Sequence, residues 1–295
     1  MKLTNNHNLP EAIVAAIMND SYTKGDADIS VTELLSPPQL RHLKLKHYEE
    51  LSEDVSDRIW SLLGQSVHTI IERASLALPN ILTEVTVTSG YGGWKLKGQI
   101  DNVVLSDSHL LDFKVTSAWK VKGGVVPSDW EKQTNTYRRL LIKEKGLIVN
   151  RMSVLAVLRD WSRNEAARSP DYPQAQVKLL DVPLWSEEEA DAFINQRIAM
   201  HQAEVPAPCT HEDRWTKPEK WAVMKRGNIR AVKLFDDPIE ARALADTASN
   251  LYVEHRPGEA VRCQSWCPVS EFCQQWRDDP RNKQSISETL FNAQV

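Results

Sequence analysis

Between Ser56 and Leu158 the apolar residues change spacing from helical to alternating and back, and that succession allows few folds. From Ser56 to about Leu78, Ile59, Trp60, Leu63, Val67, Ile70, Ile71 and Ala74 recur every three or four residues, the mark of one helix face. Three strand segments follow, Ile81 to Thr88, Trp94 to Leu105 and Leu110 to Ser117. Tyr91-Gly92-Gly93 and Ser106-Asp107-Ser108 supply turn chemistry between them, so an antiparallel meander is expected. After Pro127-Ser128 comes a helix to about Lys145, then strands from Met152 to Leu158 and from Val177 to Leu184. Helix, meander, helix and strand predict an α/β fold, a mixed sheet with helices against it.

The flanking segments add to this core. Residues 11–19 and 36–50 read as short helices, the second opening at Ser36-Pro37-Pro38, where a cap followed by prolines suits a helix start. Ser186 before Glu187, Glu188 and Glu189 caps a helix to about Gln202. Residues 220–256 read as a compact unit: two strands around Arg226-Gly227-Asn228, a helix from about Pro238 to Ser249, and a strand near Tyr252. A chain of 295 residues with 41% hydrophobic and 26% charged residues is expected to be soluble and to form one domain plus a smaller module. Met1 to Pro10 lacks a basic and apolar leader, and no apolar run approaches membrane-spanning length, so the expected location is the cytosol. The net charge of −4 argues against a generally basic nucleic-acid coat. Asp112 to Lys145, however, holds eight Lys/Arg and four Asp/Glu, a local excess that is either a basic groove or a solvated helix face.

Asp101 closes the segment Gly98-Gln99-Ile100-Asp101, and the next strand carries Leu110-Leu111-Asp112-Phe113-Lys114. Across a hairpin this spacing brings two carboxylates to one end of the sheet, with Asp112 and Lys114 on one face of their strand and Phe113 on the other. Phosphodiester cleavage uses hard oxygen ligands for Mg2+ or Mn2+, and two carboxylates beside an imidazole form a partial shell with room for water and phosphate. A lysine there orients or helps deprotonate the attacking water and offsets transition-state charge. The plain alternative is that Asp-x-Lys reflects the alternation of any half-exposed strand. Likewise His68, four residues before Glu72 on one helix face, reads alone as a satisfied histidine, and Glu84 on the first strand is a weaker ligand candidate. Gln133 and Tyr137 share a helix face directed at the same groove; alternatively Tyr137 packs with Trp130 and Leu140.

Taken together, Gly64-Gln65-Ser66-Val67-His68, Gly98-Gln99-Ile100-Asp101, Leu111-Asp112-Phe113-Lys114 and Gln133-Thr134-Asn135-Thr136-Tyr137 occur in one order. In this the chain resembles the RecB-like branch of the PD-(D/E)XK nucleases, among them the iron-sulfur exonucleases of CRISPR adaptation and related phage recombination nucleases. The resemblance covers about residues 55–160 and the cysteine tail, and implies a restriction-endonuclease-like sheet. It implies that His68, Asp101, Asp112 and the backbone carbonyl of Phe113 bind Mg2+ or Mn2+, that Lys114 is the catalytic lysine, and that Gln133 and Tyr137 contact DNA and support the site. Arg138, Lys120 and Lys122 are candidates for phosphate contacts.

The four cysteines are Cys209, Cys263, Cys267 and Cys273, the last three within eleven residues. Such clustering favours a metal group over disulfides, and spacing alone leaves Zn2+ and an iron-sulfur cluster both open, with buried free thiols as the plain alternative. The resemblance implies a 4Fe-4S cluster stapling the end of the chain to the core. One departure stands out: the CRISPR-associated members carry their first cysteine near the N-terminus, where this chain has Ser36-Pro37-Pro38, so Cys209 takes that place. Residues between the first and second ligands then form an insertion. The expected organisation is an N-terminal helical region (1–55), a nuclease core (56–209), an inserted small α+β module (210–262) and a C-terminal cysteine cluster region (263–295). Trp215, Trp221, Trp266 and Trp276 near the cysteines shield a cluster or fill a core.

These readings converge on a metal-dependent DNA nuclease, an exonuclease of recombination, repair or phage DNA processing in a bacterial or phage-infected host cytosol. Its expected partners are single- or double-stranded DNA and a recombination or single-strand-binding protein, with no membrane. The alternatives are an endonuclease of the same fold, a non-catalytic DNA-binding or scaffold subunit retaining the cluster, and a structural zinc protein.

Overall fold

The computed structural model describes residues 1–19 and 23–282. The chain divides into two compact units, one of Met1–Ser36 with Ser52–Pro206, the other of Pro37–Leu51 with Ala207–Val295. Residues 283–295 of the expected cysteine region lie outside the described residues.

The first unit opens with β1 (Lys2–Thr4), α1 (Glu11–Met18), β2 (Ile29–Ser30) and α2 (Val31–Leu35). The chain leaves it for α3 (Pro38–Lys46) and returns with β3 (Ser52–Asp54), α4 (Ile59–Ser75), β4 (Ile81–Tyr91), β5 (Trp94–Val104), β6 (His109–Thr116), α5 (Ser128–Lys145), β7 (Arg151–Leu158), α6 (Arg163–Arg168), β8 (Val177–Asp181) and α7 (Glu187–Gln202). β2, β5, β6, β7 and β8 lie side by side in that order, and β4 also pairs with β5, making a six-stranded mixed sheet. β4, β5 and β6 form the expected antiparallel meander, whereas β6 and β7 run parallel, joined by the crossover through α5. The core forms where Ile29, Leu96, Ile100, Leu110, Met152 and Val154 of the sheet meet Leu140 of α5 and Ile194 and Ile198 of α7. α2 is too short to show a period in sequence; a capping box between Ser30 and Glu33 holds it. Gly98 permits the close seat of α5 on the sheet, since a β-carbon there would stand 3.0 Å from Leu140 Cδ1 and 3.1 Å from Tyr137 Cδ1.

In the second unit α3 groups with the residues after 206: Leu43 packs against Ala260, Cys273 and Trp276, and His47 stacks on Phe272 at 4.2 Å. That departs from the placement of residues 36–50 in an N-terminal region, because the apolar side of α3 finds its partners more than two hundred residues along the chain. β9 (Thr216–Lys217), β10 (Lys220–Lys225), β11 (Lys233–Phe235), α8 (Pro238–Ala245), β12 (Leu251–Arg256), β13 (Glu259–Ala260), α9 (Val261–Ser265) and α10 (Gln274–Arg277) complete it. β10 runs between β11 and β12, and Val223, Phe235, Ala241 and Ala245 form a small core of their own. The β9–β13 pair closes the base of this module. Among the described residues no helix is long and apolar enough to cross a membrane.

Candidate metal centre and cysteine site

The acidic site lies where two strands part. β5 and β6 pair from Val104↔His109 to Asn102↔Leu111, and there the pairing stops. Continued by one step, the register would set Asp101 opposite Asp112. On the other side of β5, Thr83↔Asn102 and Val85↔Ile100 are paired while Glu84 and Asp101 between them are not. Glu84, Asp101 and Asp112 therefore occupy neighbouring positions on β4, β5 and β6. Alternation breaks at the same level: Ile100 is in the core, yet Asn102, two residues on, donates to Ser75 Oγ of α4. Asp101 fills the gap itself, its Oδ2 accepting the Phe113 N–H at 2.7 Å.

Three carboxylates at neighbouring positions repel unless cations lie among them. Two side chains answer that need. His68 of α4 places Nδ1 3.4 Å from Asp101 Oδ1, and its ring meets Phe113 edge-on at 6.2 Å. Lys114 places Nζ 2.9 Å from Asp112 Oδ2 and 3.1 Å from Oδ1. Phe113 meets His68 of α4, and Asp112 and Lys114, two residues apart, share one face of β6 by alternation. His68, Glu84 and Asp101 each offer a ligand atom within 4.8 Å of the others, so Glu84, the weaker candidate in the sequence, stands with two of the four expected ligands. Asp112 stands beside this cluster rather than in it. Its Oδ2 is buried and faces only the Lys114 ammonium. Clustered carboxylate oxygens beside an imidazole donor fit a hard divalent cation.

The protonation states follow from this crowding. Burial pushes Asp112, only 2% exposed, up to about 6, with Lys114 opposing and Asp101 adding to the rise. Lys114 is drawn down by burial, but Asp112 and Asp101 together more than offset it, so the ammonium is held. His68 is raised, chiefly by its hydrogen bond to Asp101, against the effect of burial. Burial also raises Glu84, while a hydrogen bond from Gln99 Nε2 lowers it and the Asp101 charge raises it. Glu84 reaches the site through a left-handed backbone, φ +49°, in mid-strand, where a residue with a β-carbon is strained. Residue type alone does not reveal this; the only signal was an acidic residue on a strand otherwise rich in threonine and apolar side chains.

Other predicted residues divide. On α5, Gln133 Nε2 donates to Tyr137 Oη at 2.8 Å, and Tyr137 is buried against the sheet, so the pair forms a unit with one polar end. Lys120 pairs with Asp129 at 3.0 Å and lies over Trp130, and Lys122 lies over the Trp119 ring at 4.9 Å. Arg138 is a correction: its guanidinium donates to the Val149 carbonyl at 2.9 Å and the Trp185 carbonyl at 3.1 Å. It ties α5 to the following segments and is committed away from phosphate. Glu72 contributes negative charge near Glu84 without entering the cluster.

Cys209, Cys263, Cys267 and Cys273 are free thiols that line one cavity with Leu40, Leu43 and Trp276. Arg214 Nε donates to Cys263 Sγ at 3.5 Å and Gln39 Nε2 to Cys273 Sγ at 3.6 Å. The Cys209 backbone N–H is held by Gln39 Oε1 and Gln275 Oε1. Burial pushes the Cys209 thiol up to about 12, with Asp213 and the other three thiols contributing. Four uncompensated thiolates would be costly here, whereas a cationic metal group would hold them deprotonated.

No protein-family model and no curated protein matches the chain. Among the solved structures that are similar in part are two. One is the crystal structure of SSO0001, 18% identical, covering 69% of this chain and 89% of that one at a TM-score of 0.46. The other is a provisionally assigned exonuclease from Eubacterium rectale, 12% identical, covering 59% of this chain and 72% of that one at a TM-score of 0.30. At these scores neither likeness defines the fold or the activity of this chain.

Proposed function

We propose that the chain is a divalent-metal-dependent DNA nuclease of PD-(D/E)XK type acting as an exonuclease, with His68, Glu84, Asp101 and Asp112 around the metal. The observation that carries this reading is the run of Glu84, Asp101 and Asp112 across β4, β5 and β6 at the point where the strands part, flanked by His68 and Lys114. A structural role explains one buried Asp–Lys pair; it does not explain three carboxylates brought together at one strand gap.

A bound Mg2+ or Mn2+ would polarise the scissile phosphate and lower the pKa of a water. The chain's own residues do the rest. Lys114, kept protonated by Asp112 and Asp101, faces the substrate as a fixed positive charge and offsets charge developing on the phosphate oxygens. Asp101 holds the strand gap open through the Phe113 N–H and orients His68. The Gln133–Tyr137 pair presents its polar end from α5.

The reading extends to a 4Fe-4S cluster on Cys209, Cys263, Cys267 and Cys273, with structural zinc as the alternative. The N–H···S contacts from Arg214 and Gln39 are of the kind that tune such clusters.

End-labelled linear DNA and covalently closed circular DNA, each incubated with Mn2+, test the activity. Progressive loss of linear DNA with circles spared is expected, and Asp112→Ala or Lys114→Ala should lower the rate at least a hundredfold. Cutting of circles would make the enzyme an endonuclease. No cleavage of either substrate, or variants as active as the parent, would reject the reading.

A further inference from the structure

Two tryptophans near the acidic site lie open to solvent, each with a cation on its ring. Trp60 of α4 is 55% exposed and carries the Arg159 guanidinium 4.7 Å from its ring centroid. Trp119, just past β6, is 58% exposed and carries Lys122 Nζ at 4.9 Å, with Tyr172 edge-on at 5.6 Å. The two pairs come from one structural end. β6 and β7 run parallel and finish at Thr116 and Leu158. The Arg159 N–H donates to the Thr116 carbonyl at 3.0 Å, and the Ala118 N–H donates to Asp160 Oδ1 at 2.7 Å. These bonds stitch the segment bearing Arg159 to the segment bearing Trp119. Thr116 ends the strand that carries Asp112 and Lys114, about 13 Å beyond Asp112 at the usual rise per residue.

We infer that Trp60 and Trp119 form a stacking platform for unpaired bases, selecting single-stranded nucleic acid at the mouth of the acidic site. The chemistry is that of a single-strand groove: a flat ring takes a base face, and the neighbouring cation takes the phosphate. The interior bases of a duplex are already stacked on one another and offer no face, so the platform discriminates against paired DNA. Trp60 is held through Arg159 to the end of β7, and Trp119 is flanked by Lys122 and Tyr172, which makes the platform preformed. The inference rests on the nuclease reading only for the identity of the substrate.

The test measures binding by the full-length protein in EDTA, so that nothing is cut, using fluorescein-labelled (dT)20 and a blunt 20-base-pair duplex. Trp60→Ala and Trp119→Ala should each weaken (dT)20 binding about 5- to 150-fold, the range for loss of one base–aromatic stack, and leave duplex binding within about twofold. Trp60→Phe and Trp119→Phe should recover most of the loss, which a protein damaged in its fold would not. Alanine variants that bind (dT)20 like the parent, or that lose single strand and duplex equally, overturn the platform. So do phenylalanine variants that recover nothing. Should the parent bind single strands through these rings yet cleave no DNA with Mn2+, the platform stands and the nuclease reading falls. Cleavage that proceeds while tryptophan loss leaves binding untouched has the reverse meaning.

Discussion

Glu84 carries a β-carbon into a left-handed conformation in the middle of an eleven-residue strand, at a cost of about 1–2 kcal/mol. Such strain persists where surrounding structure and function require it. Glu84→Gly removes both the strain and the carboxylate; Glu84→Ala removes only the carboxylate. Metal-free Glu84→Gly should therefore melt about 2–4 °C above Glu84→Ala, while calorimetric titration shows Mn2+ affinity down at least tenfold in both. Equal melting points would argue against the strain. A second prediction concerns protons. His68 is raised above 6.5 and Asp112 to about 6, and both must lose protons to act as ligands, so Mn2+ affinity should climb from pH 5.5 to 8. The His68–Asp101 pair also carries a stability term. Because the folded pKa of His68 is raised, that term is complete below pH 6.5 and fades as pH rises through the folded value. Metal-free His68→Gln should thus lose more thermal stability at pH 5.5 than at 8.5; a loss independent of pH would contradict the pairing. Asp112 and Lys114 were legible in sequence because strand alternation fixes their common face. Glu84 was legible only as a weaker candidate, since its place depends on a cross-strand register and a backbone angle that no residue pattern records. Arg138 was misread for a related reason: a cation in a basic run looks free until the carbonyls it caps are known.

At the scale of elements, α5 and its seat on β5 position the Gln133–Tyr137 pair. Gly98→Ala would drive a methyl group against Leu140 and Tyr137, with about 1–3 kcal/mol of overpacking. It should lower the melting temperature by several degrees and reduce kcat as the pair shifts; unchanged values would mean that α5 adjusts freely. Most elements could be read from their period and caps. The helix of residues 187–202, for example, follows a Ser186–Glu189 capping box visible as Ser-x-x-Glu. The parts not legible were short or dependent on distant partners. β1 and β3 are three residues each and exist through pairing with one another, and β2 is two residues alongside β5. Their hydrogen bonds come from remote chain, so local propensity carries no trace of them.

For the whole molecule, the cysteine cavity is where distant sequence meets. Anaerobically prepared protein should show a broad absorbance shoulder near about 400 nm, and Cys267→Ser should abolish it and lower thermal stability. Colourless protein with one equivalent of zinc would point to the other metal. With a bound group in one unit and a mixed sheet in the other, a single two-state transition is not expected, and removing the group should move one calorimetric transition more than the other.

The membership of α3 in the second unit has a consequence for synthesis. Gln39 binds the Cys209 backbone across 170 residues and approaches Cys273 across 234. At a translation rate of roughly 5–20 residues per second, α3 waits on the order of ten to thirty seconds on the ribosome before the first of these partners emerges. During that interval Leu40 and Leu43 have no cavity to line. The sheet can close first, and any metal group can enter only after Cys273 has been made. A nascent chain stalled before residue 273 would therefore hold every side chain of the acidic site while still lacking the last of its four thiols.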